Sequence, residues 1–205
     1  MSANKFVVIS GSTRTNSQSS KVAKYIANVL LKNTAKENIE IIDLAKDKFP
    51  LWDEAIWSDG VEWNADWAVV SKKLSEADAV VVIAPEWHGM VPAQLKNLFQ
   101  LCSNKELFHK PALIVGVSSS PGGAYPVAEL RMSAYKNSRL CYIPEHIIIR
   151  YVGNVLNEEQ PISEEDKYIR ERLAATLDML NEYASAFKHI RQSDAVTKYA
   201  FPNGM

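Results

Sequence analysis

The chain has 205 residues, of which 47% are hydrophobic, so it is long enough for one domain with a substantial core. Its 23 basic and 24 acidic side chains nearly balance, which excludes the strongly basic surface typical of proteins that bind nucleic acid or anionic membranes. No apolar run approaches the roughly 20 residues that span a bilayer, and the first residues lack the apolar core of a signal peptide. Two cysteines far apart in such a chain predict free thiols and a cytoplasmic protein.

Five runs of mainly apolar residues predict buried strands at residues 6–10, 39–44, 79–84, 112–118 and 146–150. The middle runs are continuously apolar, which is typical of parallel strands that are covered on both faces. Between the strands, apolar residues repeat at helical spacing, which predicts helices over 18–33, 63–75, 92–104, a segment after Gly123, and about 164–190. This alternation predicts one α/β domain over residues 1–205, built on a doubly wound parallel sheet.

Three loops that follow predicted strands have unusual compositions. We call residues 10–20 the first loop, residues 85–92 the second loop and residues 118–125 the third loop. In a doubly wound sheet the ligand lies beyond the carboxyl ends of the strands, at the point where the strand order changes direction. The three loops are therefore the candidate ligand site.

The first loop, SGSTRTNSQSS, carries seven hydroxyl side chains and Arg14. Gly11 permits a tight exit from the strand, and the next helix presents unpaired N–H groups and the positive end of its dipole. The hydroxyl groups and the Arg14 guanidinium add donors for an anion. The loop lacks both the Walker A lysine and the G-x-G-x-x-G pattern, so it predicts a site for a terminal monophosphate. The alternative is that its serines only cap the helix.

The second and third loops have features typical of contact with a planar ring. Trp87 in the second loop follows a strand end, where it is placed to stack on a ring; the alternative is a core tryptophan. In the third loop, Gly122 and Gly123 allow the backbone to approach a ligand closely. The helix that follows would stabilise negative charge on a heterocycle. The alternative there is a plain glycine turn.

Together the three loops resemble those of the NAD(P)H-dependent FMN reductase family. The family's first loop has the form G-S-x-R-x-x-S, which residues 11–17 match. Its second loop has the form P-E-Y-N-x-x-x-P-x-x-L-K-N, which residues 85–97 match, with Trp87-His88 in place of Tyr-Asn. Its third loop is a G-G turn before a helix bearing L-R, matched by Gly122-Gly123 and Leu130-Arg131. The resemblance covers roughly residues 5–150.

The resemblance implies a flavodoxin-like fold that binds FMN, with strand order 2-1-3-4-5 and helices on both faces of the sheet. By position, the FMN-binding residues are Ser12, Arg14, Ser17, Gln18 and Ser19 at the phosphate, Pro85, Glu86, Trp87 and His88 around the ribityl chain and the ring, and Ser119, Gly122 and Gly123 at the pyrimidine edge. Lys96 and Asn97 are expected to brace the second loop. The resemblance implies no metal site.

The implied activity is transfer of hydride from NADPH or NADH to FMN, and then to a small acceptor such as a quinone, an azo compound or a free flavin, by a ping-pong mechanism. This chemistry requires no protein acid or base, so we nominate no catalytic residue. His88 stays open as a proton donor to the reduced acceptor, because imidazole groups titrate near neutral pH. The alternatives are a flavodoxin-like electron carrier, typically more acidic than this chain, and a flavin-binding module without reductase activity.

Two segments lie outside the matched loops. Residues 47–63 hold three of the five tryptophans in a connection longer than a turn requires, which indicates a subunit interface or a cover over the site. Residues 191–205 end in an aromatic tail, TKYAFPNGM, which we expect to dock on a neighbouring subunit of a homodimer or homotetramer, near its flavin.

Overall fold

The structure of the protein, a computed structural model, describes residues 3–32, 34–59 and 63–201. The strands are β1 Phe6–Ser10, β2 Ile39–Asp43, β3 Ala79–Pro85, β4 Pro111–Val117 and β5 Cys141–Ile149. They form one parallel sheet in the order β2-β1-β3-β4-β5. The predicted fold, a doubly wound parallel sheet with strand order 2-1-3-4-5, is therefore confirmed.

The helices are α1 Gln18–Leu30, α2 Ile56–Asp59, α3 Ala65–Glu76, α4 Ala93–Leu101, α5 Ala124–Arg131, α6 Glu164–Gln192 and α7 Asp194–Thr197. Single turns of 3-10 helix lie at Lys36–Asn38 and Val152–Asn154. The five predicted helices are present, with ends that differ by a few residues from the predicted ones. Within the described ranges, no helix has both the length and the apolar character needed to cross a membrane.

The sheet separates two hydrophobic cores because alternate residues of each strand point to opposite faces. Phe6 and Val8 of β1 face the core that α1 and α6 cover. Val7 and Ile9 face the core that α3, α4 and α5 cover, where Trp67 is fully buried. Every residue of β3 and β4 is buried, as expected for central parallel strands with helices on both sides.

Strand β5 begins five residues before the predicted start at residue 146, and it continues through Pro144. A proline is tolerated there because β5 is an edge strand, and the pairing with β4 shifts register at this point. The Arg131 guanidinium donates to Ile143 O over 3.1 Å and to Pro144 O over 2.8 Å. The arginine of the L-R pair therefore holds the irregular part of the edge strand.

Strands β1, β3 and β4 end side by side because backbone hydrogen bonds continue past the strand ends. Gly11 N–H donates to Ile83 O and Glu86 N–H donates to Val117 O, both over 2.9 Å. A Cβ atom at Gly11 would lie 2.5 Å from Ile83 O and 2.7 Å from Leu95 Cδ2. Gly11 is therefore required by the close approach of β1 to β3 and α4. The three loops leave the sheet from this edge, which we call the carboxyl edge.

The carboxyl-terminal tail docks on its own chain at the opposite edge of the sheet. The Arg139 guanidinium lies 4.8 Å from the ring centre of Tyr199 and 5.4 Å from that of Phe108, and it donates to Phe201 O. Phe108 and Arg139 shortly precede β4 and β5, so these contacts lie at the amino ends of the strands. Docking on a neighbouring subunit stays a prediction, and residues 202–205 of the tail lie outside the described residues.

We expect Gly11→Ala to lower the free energy of unfolding by about 1–3 kcal/mol, because the added methyl group overpacks the contact between β1 and β3. Urea unfolding followed by circular dichroism measures this change. Gly153→Ala is the matched control, since a Cβ atom there meets nothing within 4 Å. The control should leave stability unchanged or raise it by up to about 1 kcal/mol. Equal effects of the two substitutions would contradict the assigned role of Gly11.

Candidate functional site

The serines of the first loop are folded inward, whereas Arg14 and Gln18 are exposed. Ser12 and Ser19 are only 2% and 1% exposed. Ser17 is the N-cap of α1, and its hydroxyl oxygen accepts the Ser20 N–H over 3.1 Å. The Ser12 hydroxyl oxygen accepts the Arg14 N–H over 3.3 Å. The capping role that the sequence left open for the serines is therefore real for Ser17.

Capping does not use up the donors of the first loop. A serine hydroxyl that accepts through its oxygen still has a hydrogen to donate, so Ser12 and Ser17 keep this capacity. The N–H groups of Gln18 and Ser19 lie in the first turn of α1, where no intrahelical carbonyl is available to them. Among the described residues, no carboxylate pairs with the Arg14 guanidinium. The loop therefore combines three kinds of donor at a helix N-terminus, which is the chemistry of an anion site.

Ser10 is a further candidate that the motif comparison missed. Its hydroxyl group lies at the end of β1, fully buried, and within the described residues it has no hydrogen-bond partner. An unsatisfied buried hydroxyl is unfavourable, and a ligand with oxygen acceptors would remove that penalty. In the sequence, the only indication that Ser10 could bind a ligand is that it is the first hydroxyl side chain of the first loop.

The second loop contains a two-residue hairpin turn. Trp87 N–H donates to Met90 O over 3.0 Å and Met90 N–H donates to Trp87 O over 2.9 Å. His88 and Gly89, between them, both have positive φ, at 51° and 72°. Two successive positive φ values are typical of a type I′ turn, and among non-glycine residues Asn, Asp and His adopt them most readily. The turn therefore explains why histidine can occupy the position at which the family that these loops resemble has asparagine.

Trp87 falls between the two alternatives considered for it. Its side chain is half-buried, so it is neither a core tryptophan nor a fully exposed ring. Pro85 is the last residue of β3 and is buried, whereas the His88 side chain is exposed on the turn. Because Pro85 ends β3, which is the neighbour of β1, the second loop begins at the carboxyl edge beside the first loop.

Glu86 joins the second loop to the third loop. Gly123, the N-cap of α5, has a φ of 99° and donates its N–H to Glu86 Oε2. A Cβ atom at Gly122 would lie only 2.9 Å from Glu86 Oε1. We expected the N-terminus of α5 to point at a heterocycle and Glu86 to flank the ligand. The structure places the Glu86 carboxylate at that N-terminus, where the positive end of the helix dipole stabilises it, and contact of either group with a ligand stays a prediction.

Lys96 braces the second loop as expected, but it acts through Glu129. Its ammonium group lies 2.6 Å from Glu129 Oε1, while Glu129 Oε2 accepts the Val91 N–H over 2.7 Å. Burial alone would raise the pKa of Glu129, but the bonds from Lys96 and Val91 outweigh it, so the pKa of this carboxyl group lies below its ordinary value.

Asn97 has a different role from the one expected. Its side chain accepts the Trp52 N–H over 2.7 Å and donates to Pro50 O over 2.9 Å, so it braces the tryptophan-rich segment rather than the second loop. Trp52 and Trp57 form an edge-to-face pair, in which Trp57 is 77% exposed. Because α4 begins directly after the second loop, this segment lies near the carboxyl edge. Its role at an interface or over the site stays a prediction, and residues 60–62 of it lie outside the described residues.

All twelve predicted site residues lie in loops that leave β1, β3 and β4, which are neighbours in the sheet. In the third loop, Ser119 is exposed, Gly122 is half-buried and Gly123 is buried. Within the described ranges, no three His, Cys, Asp or Glu side chains come together as a metal ion would require. The three loops thus bring the donors of the first loop and the aromatic side chain of Trp87 to one edge of the sheet.

The family model of the NADPH-dependent FMN reductases matches residues 4–152, well over half of the chain. The chain belongs to this family. It is therefore an oxidoreductase that works with FMN and with NADPH or NADH, as the resemblance of the three loops implied.

Two proteins of similar sequence are both named as reductases. An NADPH azoreductase of Bacillus sp. strain OY1-2 is 30% identical over 152 residues, which cover 71% of this chain and 76% of that protein. A quinone reductase of Pseudomonas putida is 29% identical over 122 residues, which cover 58% of this chain and 62% of that protein.

Solved structures share the fold at lower identity. A flavoenzyme NAD(P)H:acceptor oxidoreductase of Paracoccus denitrificans has a TM-score of 0.65 at 19% identity, over 90% of this chain and 99% of that one. The apo form of an NADH:FMN oxidoreductase has a TM-score of 0.60 at 17% identity, over 92% of this chain and 90% of that one. At these identities, the likeness shows the fold alone.

The type I′ turn predicts different results for two substitutions of His88. We expect His88→Asn to change the free energy of unfolding by less than about 0.5 kcal/mol, because asparagine tolerates positive φ. His88→Val should lower it by about 1–2 kcal/mol, because a β-branched residue is strained there. Urea unfolding distinguishes the two variants. A changed pH profile of turnover in His88→Asn would give the imidazole a chemical role beyond the turn.

Glu86 is expected to contribute to stability through both its charge and its hydrogen bond. Glu86→Gln removes the charge at the N-terminus of α5 and should lower the free energy of unfolding by about 0.3–1 kcal/mol. Glu86→Ala also leaves the Gly123 N–H without this acceptor and should lower it by about 1–3 kcal/mol. Thermal unfolding in low salt ranks the stabilities of the wild type, Glu86→Gln and Glu86→Ala. A Glu86→Ala variant as stable as Glu86→Gln would show that the hydrogen bond contributes nothing.

Proposed function

We propose that this protein is an FMN-dependent NAD(P)H reductase of small conjugated acceptors, such as quinones, azo compounds or free flavins. The observation that carries the proposal is the donor set of the first loop. The first loop carries N–H groups of the first turn of α1, serine hydroxyl groups and Arg14. It follows β1, beside β3, where the strand order changes direction.

The first loop fits a phosphate monoester better than other anions. A terminal phosphate presents several oxygens and two negative charges, so it matches several converging donors and one guanidinium. Ser12, Ser17 and Ser19 would donate from the buried side of the loop and Arg14 from the exposed side. The buried Ser10 hydroxyl is a further group that a phosphate oxygen would satisfy.

FMN, when bound, would supply reversible hydride chemistry at its isoalloxazine ring. The part of the protein is to hold and orient the two ends of the cofactor. The first loop would hold the phosphate, and the second and third loops, locked together by Glu86 and Gly123, would border the ring. Trp87, half-buried at the turn, is the aromatic side chain placed for ring contact. No acid or base is assigned.

The proposed order of substrates is ping-pong. The nicotinamide donor and the acceptor would both reach the ring from the carboxyl edge of the sheet, and they would therefore bind in turn. The names of the two similar proteins, an NADPH azoreductase and a quinone reductase, support conjugated acceptors as the substrate class. These compounds share a planar system that accepts two electrons.

A homo-oligomer in the cytoplasm is the proposed setting. Large apolar side chains are exposed at Trp57, Tyr125 and Met132, which supports contact between copies of the chain. Cys102 and Cys141 are both free thiols, as in a reducing compartment.

The deciding experiment is an absorbance spectrum of the purified protein with FMN, before and after anaerobic addition of NADPH or NADH. Flavin bands that bleach with either nicotinamide support the reductase. Bound flavin that neither nicotinamide reduces would favour an electron carrier or a flavin-binding module. A protein that does not bind FMN would overturn the proposal.

Arg14 supplies the matching test of the phosphate site. We expect Arg14→Ala to raise the Kd for FMN by about 10- to 100-fold, because it removes a charge-assisted hydrogen bond to the phosphate. Its melting temperature should stay unchanged, since the side chain is exposed. Lys24→Ala, an exposed change on α1, is the control and should bind FMN like the wild type. Riboflavin, which lacks the phosphate, should bind Arg14→Ala and the wild type equally.

A further inference from the structure

The segment that follows β5, residues 150–157, has an unusual backbone. Tyr151 and Leu156 both have positive φ, at 44° and 58°, although neither is glycine. Between them lies the 3-10 turn Val152–Asn154. Left-handed conformations of such residues are unfavourable and persist only where several surrounding contacts enforce them; they cluster at ligand sites. The contacts of this segment therefore indicate what it serves.

One side of the segment is held by Lys21. Its ammonium group donates to Val152 O over 2.7 Å, to Val155 O over 2.8 Å and to Asn157 Oδ1 over 2.7 Å. These three bonds use all three N–H donors of a lysine. Leu156 N–H, inside the same segment, donates to the buried Asp166 carboxylate over 2.9 Å. The two residues with positive φ are therefore held by hydrogen bonds: Tyr151 precedes Val152, which Lys21 binds, and Leu156 itself donates to Asp166.

The other side of the segment holds the third loop. Val152 N–H donates to Ser118 O over 3.1 Å and Tyr151 N–H donates to Ser120 O over 3.4 Å. The Arg150 guanidinium donates to Pro121 O over 2.7 Å. Residues 150–152 therefore bind the backbone carbonyl groups of the third loop, although its side chains from residue 119 to 121 are exposed.

Lys21 itself belongs to the phosphate side of the site. It lies one helical turn after Ser17, the N-cap of α1, and its N–H donates to Ser17 O over 3.3 Å. Its side chain thus spans from the helix of the first loop to the segment that supports the third loop. The partners are 131 to 136 residues away in the chain, so no local structure requires the contact.

We infer that Lys21 is a positioning residue that fixes the third loop relative to the first loop, and so sets the spacing of the two ends of the FMN site before the cofactor binds. This inference rests on the proposed function. With its donors all used within the protein, Lys21 is not itself a phosphate ligand. A site whose parts are already fixed loses less freedom on binding and therefore binds more tightly.

Desolvation of Lys21 is consistent with this role. Burial lowers the pKa of Lys21, and the charge of Asp166 only partly opposes this effect. A partly desolvated ammonium group depends on its protein acceptors in place of water. Removing it should therefore release the carbonyl groups that it holds.

The test compares Lys21→Met with Arg191→Met. Methionine keeps an unbranched apolar side chain but cannot donate. Arg191 is the matched control, because it donates to His109 O over 3.2 Å and lies 2.8 Å from Asp78, both at the amino ends of the strands. Both variants should melt at lower temperature than the wild type. Hydrogen exchange is measured on the proteins without flavin, and the Kd for FMN by quenching of its fluorescence.

We expect Lys21→Met to speed amide exchange in residues 118–121 and 150–156 and to raise the Kd for FMN, each by about tenfold. Arg191→Met should change neither by more than about twofold. Asn157→Ala removes one of the three acceptors from an exposed side chain, and it should act in the same direction by about two- to threefold. This milder variant decides the question if Lys21→Met does not fold.

Three results would overturn the inference. The first is a wild-type Kd in Lys21→Met, even with faster exchange. The second is an equal loss of FMN affinity in Arg191→Met, which would indicate a general loss of stability. The third is unchanged exchange in residues 118–121. A wild-type protein that does not bind FMN would instead overturn the proposed function, and the exchange rates would still decide whether Lys21 couples the two loops.

Discussion

The site depends on the close approach of β1 to β3. At Gly11 the two strands lie so near each other that even a methyl group would meet the Ile83 carbonyl oxygen. The hydrogen bond between Gly11 and Ile83 carries this spacing past the end of β1, into the first loop. The first loop consequently begins beside Ile83, and the second loop begins two residues further along β3, at the same edge of the sheet. A ligand that needs donors for one end and an aromatic border for the other finds both within one edge of the sheet.

The polar groups of this edge divide into those that hold the protein and those that remain for a ligand. Glu86, Glu129, Asn97 and Lys21 all hold backbone groups of neighbouring segments. The donors that these contacts do not use are concentrated in the first loop, where the Ser12 and Ser17 oxygens accept backbone hydrogen bonds and keep their hydrogens. The first loop is therefore the part of this edge that offers most donors to an anion, and the third loop carries no charged side chain. The hydrogen bonds that brace the protein at this edge thus also determine which donors stay available.

The sequence predicted the parts of the structure that depend on local patterns. Apolar runs located the five strands, helical spacing located the main helices, and the composition of the first loop indicated an anion site. The predicted start of β5 was wrong, because Pro144 suggested a break in the strand. The strand continues because β5 lies at the edge of the sheet and Arg131 binds the carbonyl group of the proline. The roles of Glu86, Asn97 and Lys21 could not be predicted, since their partners lie 37, 45 and more than 130 residues away. A single sequence contains no periodic signal for such pairs.

The docking of the tail has a practical consequence. Arg139 keeps Phe201 at the amino ends of the strands, whereas the three loops open at the carboxyl ends. A fusion partner, an affinity resin or an electrode surface that is attached next to Phe201 would therefore lie at the amino ends of the strands. The loops would face the bulk solution, with free diffusion of small molecules to them. Attachment at this place would therefore immobilise the protein with its three loops directed away from the support.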